Sequence, residues 1–305
     1  MKNLHALRRT RHSSLAVMRL CSILFALGFL PLQAGKWPEQ AEFDRPIMMD
    51  SNAEGSELFV LDAGDTLHEF RVTGNSLEEF RSISLPPSLT AADMSYLLAG
   101  GQESLVIAGT QNDRGIVARY ALDGQQLQVW KFPNICSGID VGSASHTAYV
   151  ATSDSNEIYR VDLQGTQSAF VARISTAMKL GPLAFDEAGQ RVFVADVAAG
   201  AIYQYSLARK SVKVLVTGLS TPNALSYYPD TRLLYVADPG RRAIFTADTR
   251  AGKPVARELV SSPLKSPYGM ALLSGNRLAV ADYGAQSVYV FSGKGALLFR
   301  YPPNR

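Results

Sequence analysis

A chain of 305 residues that is 47% apolar can bury a full core, which excludes a disordered protein. Its net charge of +3 belongs to the N-terminus: Lys2, Arg8, Arg9, Arg11 and Arg19 lie in residues 1–34 with no acid among them, leaving 25 basic against 27 acidic groups. A near-neutral body without a basic stripe gives no reason to expect a nucleic-acid partner.

In chain order the first element is a leader. Leu20–Leu30 is an unbroken apolar run behind the basic stretch; Pro31 ends it, and small Ala34 closes a signal-peptidase-like Leu32-Gln-Ala34. The run is shorter than the ~20 residues of a membrane span. Residues 1–34 are therefore expected to be a signal peptide, with Met18 as an alternative true start. The mature chain, 35–305, is expected to be exported to a periplasmic or secreted location without a transmembrane segment. Cys21 falls in the leader, so Cys136 is the lone cysteine of the mature chain, excluded from an internal disulfide and expected to be buried.

Beyond the leader an apolar tetrad recurs six times: Leu58-Phe-Val-Leu61, Leu105-Val-Ile-Ala108, Ala148-Tyr-Val-Ala151, Val192-Phe-Val-Ala195, Leu234-Tyr-Val-Ala237 and Leu278-Ala-Val-Ala281. Their third members are 47, 43, 44, 42 and 44 residues apart. A strand without alternation is covered on both faces. A further strand follows each tetrad, starting at Leu67, Val117, Ile158, Ile202, Ile244 and Val288, after a turn. The aspartates heading turns (Asp62, Asp196, Asp238, Asp282) are expected to cap them, since a carboxylate there can accept backbone N–H groups two or three residues on. Short strands with small side chains, such as Gly138-Ile-Asp-Val-Gly142, precede the tetrads, and outer strands such as Lys213-Val-Leu-Val216 follow. Four antiparallel strands per period of about 44 residues predict an all-β, six-bladed β-propeller over 35–305 with very little helix.

Two tryptophans cannot supply WD-type blades. Tyr149-Val-Ala-Thr-Ser-Asp, Val194-Ala-Asp, Val236-Ala-Asp and Val280-Ala-Asp-Tyr-Gly284 instead resemble NHL-type and YVTN-type propeller repeats. Thr221-Pro-Asn-Ala-Leu…Leu234-Tyr-Val-Ala-Asp238 is similar to the broad superfamily that includes the gluconolactonase-like (senescence-marker) proteins. The pattern spans 44–301.

Propeller sites usually sit at one channel mouth. Counting back from each turn gives a column of Ile47, Met94, Ser137, Leu183, Asn223 and Tyr268, of which Met94, Ser137, Asn223 and Tyr268 are the candidate binding residues. The gluconolactonase resemblance implies a lactone-hydrolysing divalent metal held by an early acid, mid-chain asparagines and a late Asp before Gly. Asp44-Arg-Pro46 and Pro222-Asn223 match two of these positions. Cys136-Ser-Gly138 replaces an Asn-Asp-Gly, and Tyr268-Gly269 replaces the late Asp-Gly, which implies both a ligand and a general base. Asp44 and Asn223 are thus the only candidate ligands, and a hard cation asks for more oxygens than they provide.

No nucleophile elbow, assignable triad, phosphate loop or dinucleotide fingerprint is present. His68 and His146 are expected to be surface or packing residues, and Arg241-Arg242 a solvated hairpin tip. The reading that follows is an exported propeller binding a protein, glycan or small ligand at one mouth, without catalysis or cofactor. The alternative is a metal-dependent sugar-lactone hydrolase with a degenerate calcium or zinc site.

Overall fold

Each apolar tetrad forms the second strand of a four-stranded antiparallel sheet, and six such sheets follow one another along the chain. The computed structural model describes residues 44–303 except Pro87, so the leader, the Met18 start and residues 35–43 lie outside the described residues. The blades are β1 (Pro46–Ser51), β2 (Glu57–Asp62), β3 (Thr66–Thr73) and β4 (Ser76–Ser84); then β5 (Thr90–Ala99), β6 (Gln102–Gln111), β7 (Arg114–Ala121) and β8 (Gln126–Phe132). The third comprises β9 (Cys136–Gly142), β10 (Thr147–Thr152), β11 (Glu157–Asp162) and β12 (Ser168–Arg173), and the fourth β13 (Leu180–Asp186), β14 (Arg191–Asp196), β15 (Ala201–Ser206) and β16 (Ser211–Val216). The fifth has β17 (Ala224–Tyr228), β18 (Leu233–Asp238), β19 (Ala243–Asp248) and β20 (Arg257–Val260); the sixth has β21 (Pro267–Leu273), β22 (Arg277–Asp282), β23 (Ser287–Ser292) and β24 (Leu297–Tyr301). Among the described residues there is no helix, hence none long and apolar enough to cross a membrane.

The core explains why the tetrads are apolar throughout. Side chains alternate across a strand, and here each face meets a different blade. Leu58 and Val60 pack with Ala271, Ala279 and Val290 of blade 6, while Phe59 and Leu61 pack with Met94, Leu105 and Ile107 of blade 2. Leu234 and Val236 likewise face blade 4, and Tyr235 and Ala237 face blade 6. Six such clusters fill six junctions. Each fully buried large side chain contributes on the order of 1.5–3 kcal/mol.

Near the axis the backbones approach too closely for side chains. A Cβ on Gly138 would lie 2.3 Å from the carbonyl oxygen of Gly181 in the next blade, and one on Gly269 would lie 2.9 Å from that of Ile47. Glycine is what lets these strands converge.

Among the described residues every blade is built from four consecutive strands, so none of these strands is exchanged to close the ring, and the Trp37–Phe43 segment lies outside the described residues. The seam between blades 6 and 1 is held by packing and a few bonds. Ser51 Oγ donates to the Leu272 carbonyl (2.6 Å) and Ser274 N–H to that of Gly55 (3.1 Å). The Phe70 and Tyr301 rings meet edge-on at 5.0 Å.

The turn aspartates bind more than their own turns. Asp282 Oδ1 accepts the N–H of Ala285 (3.0 Å), and its two oxygens also take those of Lys265 (2.6 Å) and Ser266 (2.9 Å), in the loop leading into the same blade. Asp196 and Asp238 do the same. Asp62 takes Gly64, Thr66 and Asp44.

His68 is not at the surface. It is buried between Asp62 Oδ2 (3.2 Å from Nε2) and Glu79 Oε1 (2.8 Å from Nδ1), so both ring nitrogens face carboxylates. Burial pulls its pKa down, but the two carboxylates prevail and raise it to about 9. Cys136 is fully buried, and burial pushes its thiol up to about 12, so it is an unreactive core residue. Arg241 lies over the Phe245 ring at 5.6 Å at its exposed turn.

Candidate functional site in the central channel

The first strands of the blades enclose a cavity of about 680 Å³ along the ring's axis. Asn223 and Tyr268 line it near the starts of their strands, and Asn52, Glu54, Asp230 and Ser274 line it where the first strands turn into the second. This volume suits a small organic molecule.

The residues counted back from the turns do not form one level. Opposite the third member of each tetrad stand Met49, Met94, Ile139, Leu183, Leu225 and Met270. Met94 and Leu183 belong to that level, whereas Ile47, Ser137, Asn223 and Tyr268 stand two residues earlier. Met94 lies 13 residues before its partner Ile107, against 11 for Met49 before Val60, because the β5–β6 hairpin is two residues longer, and Leu183 lies 13 residues before Asp196 where Asn223 lies 15 before Asp238, so the counts do not reach one level in every blade. Met94, Asn223 and Tyr268 line the cavity; Ser137 does not. The Ser137 hydroxyl donates to the Leu180 carbonyl (3.0 Å), tying blade 3 to blade 4.

Asp44 is also outside the cavity lining. It is exposed, with its carboxylate beside Arg45 Nε at 3.4 Å and its N–H given to Asp62. Arg45 then reaches across the seam: its guanidinium lies over the Tyr283 ring at 5.2 Å and donates to the Tyr283 hydroxyl (3.1 Å). Tyr283 packs on Tyr268 with ring centroids 5.2 Å apart. A guanidinium and two phenol rings occupy the neighbourhood where the resemblance implied a late carboxylate. Among the described residues no three His, Cys, Asp or Glu side chains are grouped to hold a metal. The donor set at Asp44 and Asn223 does not suit a hard divalent cation.

What the count along the chain missed are three carboxylates inside the channel. Asp50, Asp93 and Asp140 project from the first strands of blades 1, 2 and 3, and each is partly open to the cavity. Glu54 and Asp230 join them on the lining, which includes no Lys, Arg or His. Burial pushes Asp50 up to about 7 against the lowering effect of the Tyr96 N–H, and the charge of Asp140 adds to the rise. Burial likewise takes Asp140 to about 6 and Asp93 well above the usual carboxylate range, with the Phe185 and Ile139 N–H groups opposing. The signal was an acid inside an otherwise apolar first strand, as in Met48-Met-Asp50 and Gly138-Ile-Asp140. Across the channel blades 5 and 6 present Asn223, Ser226, Tyr227, Tyr228 and Tyr268. Four of the five acids thus lie on blades 1 to 3, while blades 5 and 6 carry the aromatic and hydroxyl groups together with Asp230.

The SMP-30/Gluconolactonase/LRE-like region matches residues 177–303, which contain the last three blades. The chain is a six-bladed propeller whose last three blades are similar to the gluconolactonase-like region. Among solved structures it is similar to a chain of the nidogen/laminin complex, with 14% identity and a TM-score of 0.65 over 81% of this chain and 93% of that one. A structural-genomics protein of unknown function from Bacteroides thetaiotaomicron matches at 10% identity and a TM-score of 0.65 over 83% and 70%. Virginiamycin B lyase from Staphylococcus aureus matches at 13% identity and a TM-score of 0.61 over 88% of each chain. At these identities the likeness concerns the fold alone. No curated protein matches the sequence.

Proposed function

We propose that this protein is an exported propeller that binds a small, positively charged organic molecule in its central channel without transforming it. The reading rests on the lining of the cavity: five carboxylates, three tyrosines and no basic residue around about 680 Å³. An acidic concavity with low-dielectric walls concentrates cations. The Tyr228 and Tyr268 rings add attraction for an ammonium group, on the order of 0.5–2 kcal/mol each, whereas the Tyr227 ring is already taken by Arg191 at 5.7 Å. The leader in residues 1–34 is the ground for export.

Thermal shift of the purified mature protein with choline and putrescine as probes tests the reading. Binding at 100 times Kd stabilises the fold by about 2.7 kcal/mol. The shift is expected to weaken in Tyr228→Ala and Tyr268→Ala. No shift with either cation, or an undiminished shift in both variants, contradicts a channel site.

The rival is a lactonase, favoured by the family match across residues 177–303 and by Pro222-Asn223. Its support would be stoichiometric calcium or zinc in the purified protein together with lactone hydrolysis, both lost in Asn223→Ala.

A further inference from the structure

The five carboxylates of the channel lie at different heights along it. Asp93 stands one residue before the position opposite its tetrad's third member, and Asp50 and Asp140 stand one residue after theirs. Glu54 and Asp230 both stand five residues after, in the turns that end β1 and β17. A strand rises about 3.3 Å per residue, so the level of Asp93 is about 7 Å along the strands from that of Asp50 and Asp140. The four residues from Asp50 to Glu54 add at most about 13 Å more.

Charge so spread does not suit a compact ion. A metal needs its oxygens in one coordination sphere, and among the described residues no three acids are grouped for that. The protein supplies no counter-charge of its own, since no Lys, Arg or His lines the cavity. The three inner carboxylates are held in place by backbone. Asp50 accepts the N–H groups of Ser51 (2.8 Å) and Tyr96 (2.7 Å), and Asp93 those of Met94 and Ile139 (both 3.0 Å). Asp140 accepts those of Val141 (2.8 Å) and Phe185 (2.7 Å) and the Ser95 hydroxyl (3.1 Å). A carboxylate has roughly four acceptor sites, so each keeps capacity for a further donor. Between the two groups of acids the lining is apolar and aromatic: Tyr228 stands three residues past its reference position and Leu272 two past its own.

We propose that the ligand of the channel is a linear polyamine, with one ammonium among Asp50, Asp93 and Asp140, another at the Glu54 and Asp230 end, and its methylene chain along Tyr228 and Leu272. The inference rests on reading the channel as a cation site and names the class of cation. A monoamine meets one group of acids only, and a compact polyvalent ion cannot meet both. Burial holds Asp50 up at about 7 and Asp140 at about 6, a penalty on the charged forms that bound ammonium groups offset.

Isothermal titration of the full mature chain with butylamine, spermidine and hexaamminecobalt(III) tests the class. At about pH 8 Asp50 and Asp140 are ionised, and about 0.15 M salt screens contacts outside the channel. Spermidine is expected to bind about a hundredfold more tightly than butylamine, each added charge-assisted contact giving about tenfold. Hexaamminecobalt(III) carries the charge of spermidine on one centre and should bind at least about tenfold more weakly than spermidine, one such contact being lost. Glu54→Gln combined with Asp230→Asn, both at exposed turn positions, should weaken spermidine by about tenfold or more and leave butylamine within about twofold. Spermidine binding no tighter than butylamine or hexaamminecobalt(III), or unaffected by the double variant, overturns the polyamine while butylamine binding leaves the cation channel standing. Failure of all three, and of choline, to bind overturns both.

Discussion

The Tyr301 hydroxyl donates to Oε2 of Glu79 at 3.3 Å, joining the outermost strand of the last blade to that of the first. Glu79 in turn bonds His68, and His68 bonds Asp62, so one line of polar contacts runs from the seam into blade 1. Because none of the described strands is exchanged across this seam, it is held by the side chains meeting there and a few bonds such as Ser274 N–H to the Gly55 carbonyl. Deleting residues 295–305 removes β24 with Tyr301, and the chain is expected to lose its cooperative fold, read as loss of a monomeric peak and of the thermal transition. The milder Tyr301→Phe should cost about 1.5 kcal/mol, the lower end for a hydrogen bond to a charged group. A folded, monomeric truncation product would show that the ring is held elsewhere.

The His68 ion pairs predict a pH dependence of their own. Its folded pKa of about 9 lies above the ordinary 6.5, so the stabilisation is complete below 6.5 and is lost as pH rises through 9. Denaturant melts at pH values across that interval should show a decline of up to roughly 3 kcal/mol, absent in His68→Gln. Asp62 acts in the opposite sense: its lowered value contributes stability above its ordinary range, lost as pH falls into acid.

The double use of the turn aspartates makes them costly to remove. Asp238 is fully buried and accepts the N–H groups of Ser220 (2.7 Å), Thr221 (3.0 Å) and Arg241 (3.2 Å). Asp238→Ala strands these donors, and hydrogen bonds to a charged group are worth about 1.5–3 kcal/mol each. The expected loss is at least about 3 kcal/mol by urea unfolding. An effect below about 1 kcal/mol, the size of an isolated cap, would mean the loop bonds add nothing.

A matched pair of glycine substitutions tests convergence at the axis. Gly138→Ala would drive its methyl into the backbone of Gly181 and Pro182, whereas Gly252→Ala meets no atom within 4 Å. Gly138→Ala should cost several kcal/mol by backbone displacement, on the scale of overpacking a core. Gly252→Ala should stay within about 0.5 kcal/mol. Similar melting temperatures for both would refute the close approach of blades 3 and 4.

The amino-acid sequence alone determined the six blades, the strand order within each and the capping role of Asp62, Asp196, Asp238 and Asp282. Those features are local: a strand buried on both faces must be apolar at every position, and a turn must feed its own N–H groups. Asn223 and Tyr268 could be found on the channel in the same way, by counting from a turn. Only the tertiary structure decided that Met94 and Leu183 sit at a different level, because a turn does not record how long its hairpin is, and the β5–β6 hairpin is two residues longer than its counterpart in blade 1. It alone brought His68 between Asp62 and Glu79 within blade 1, and joined Asp50 to Tyr96 and Ser95 to Asp140 between blades. The residues joined between blades are 46 and 45 apart in the chain, and nothing in a strand's own pattern records which atoms of a neighbouring strand its polar side chain will meet.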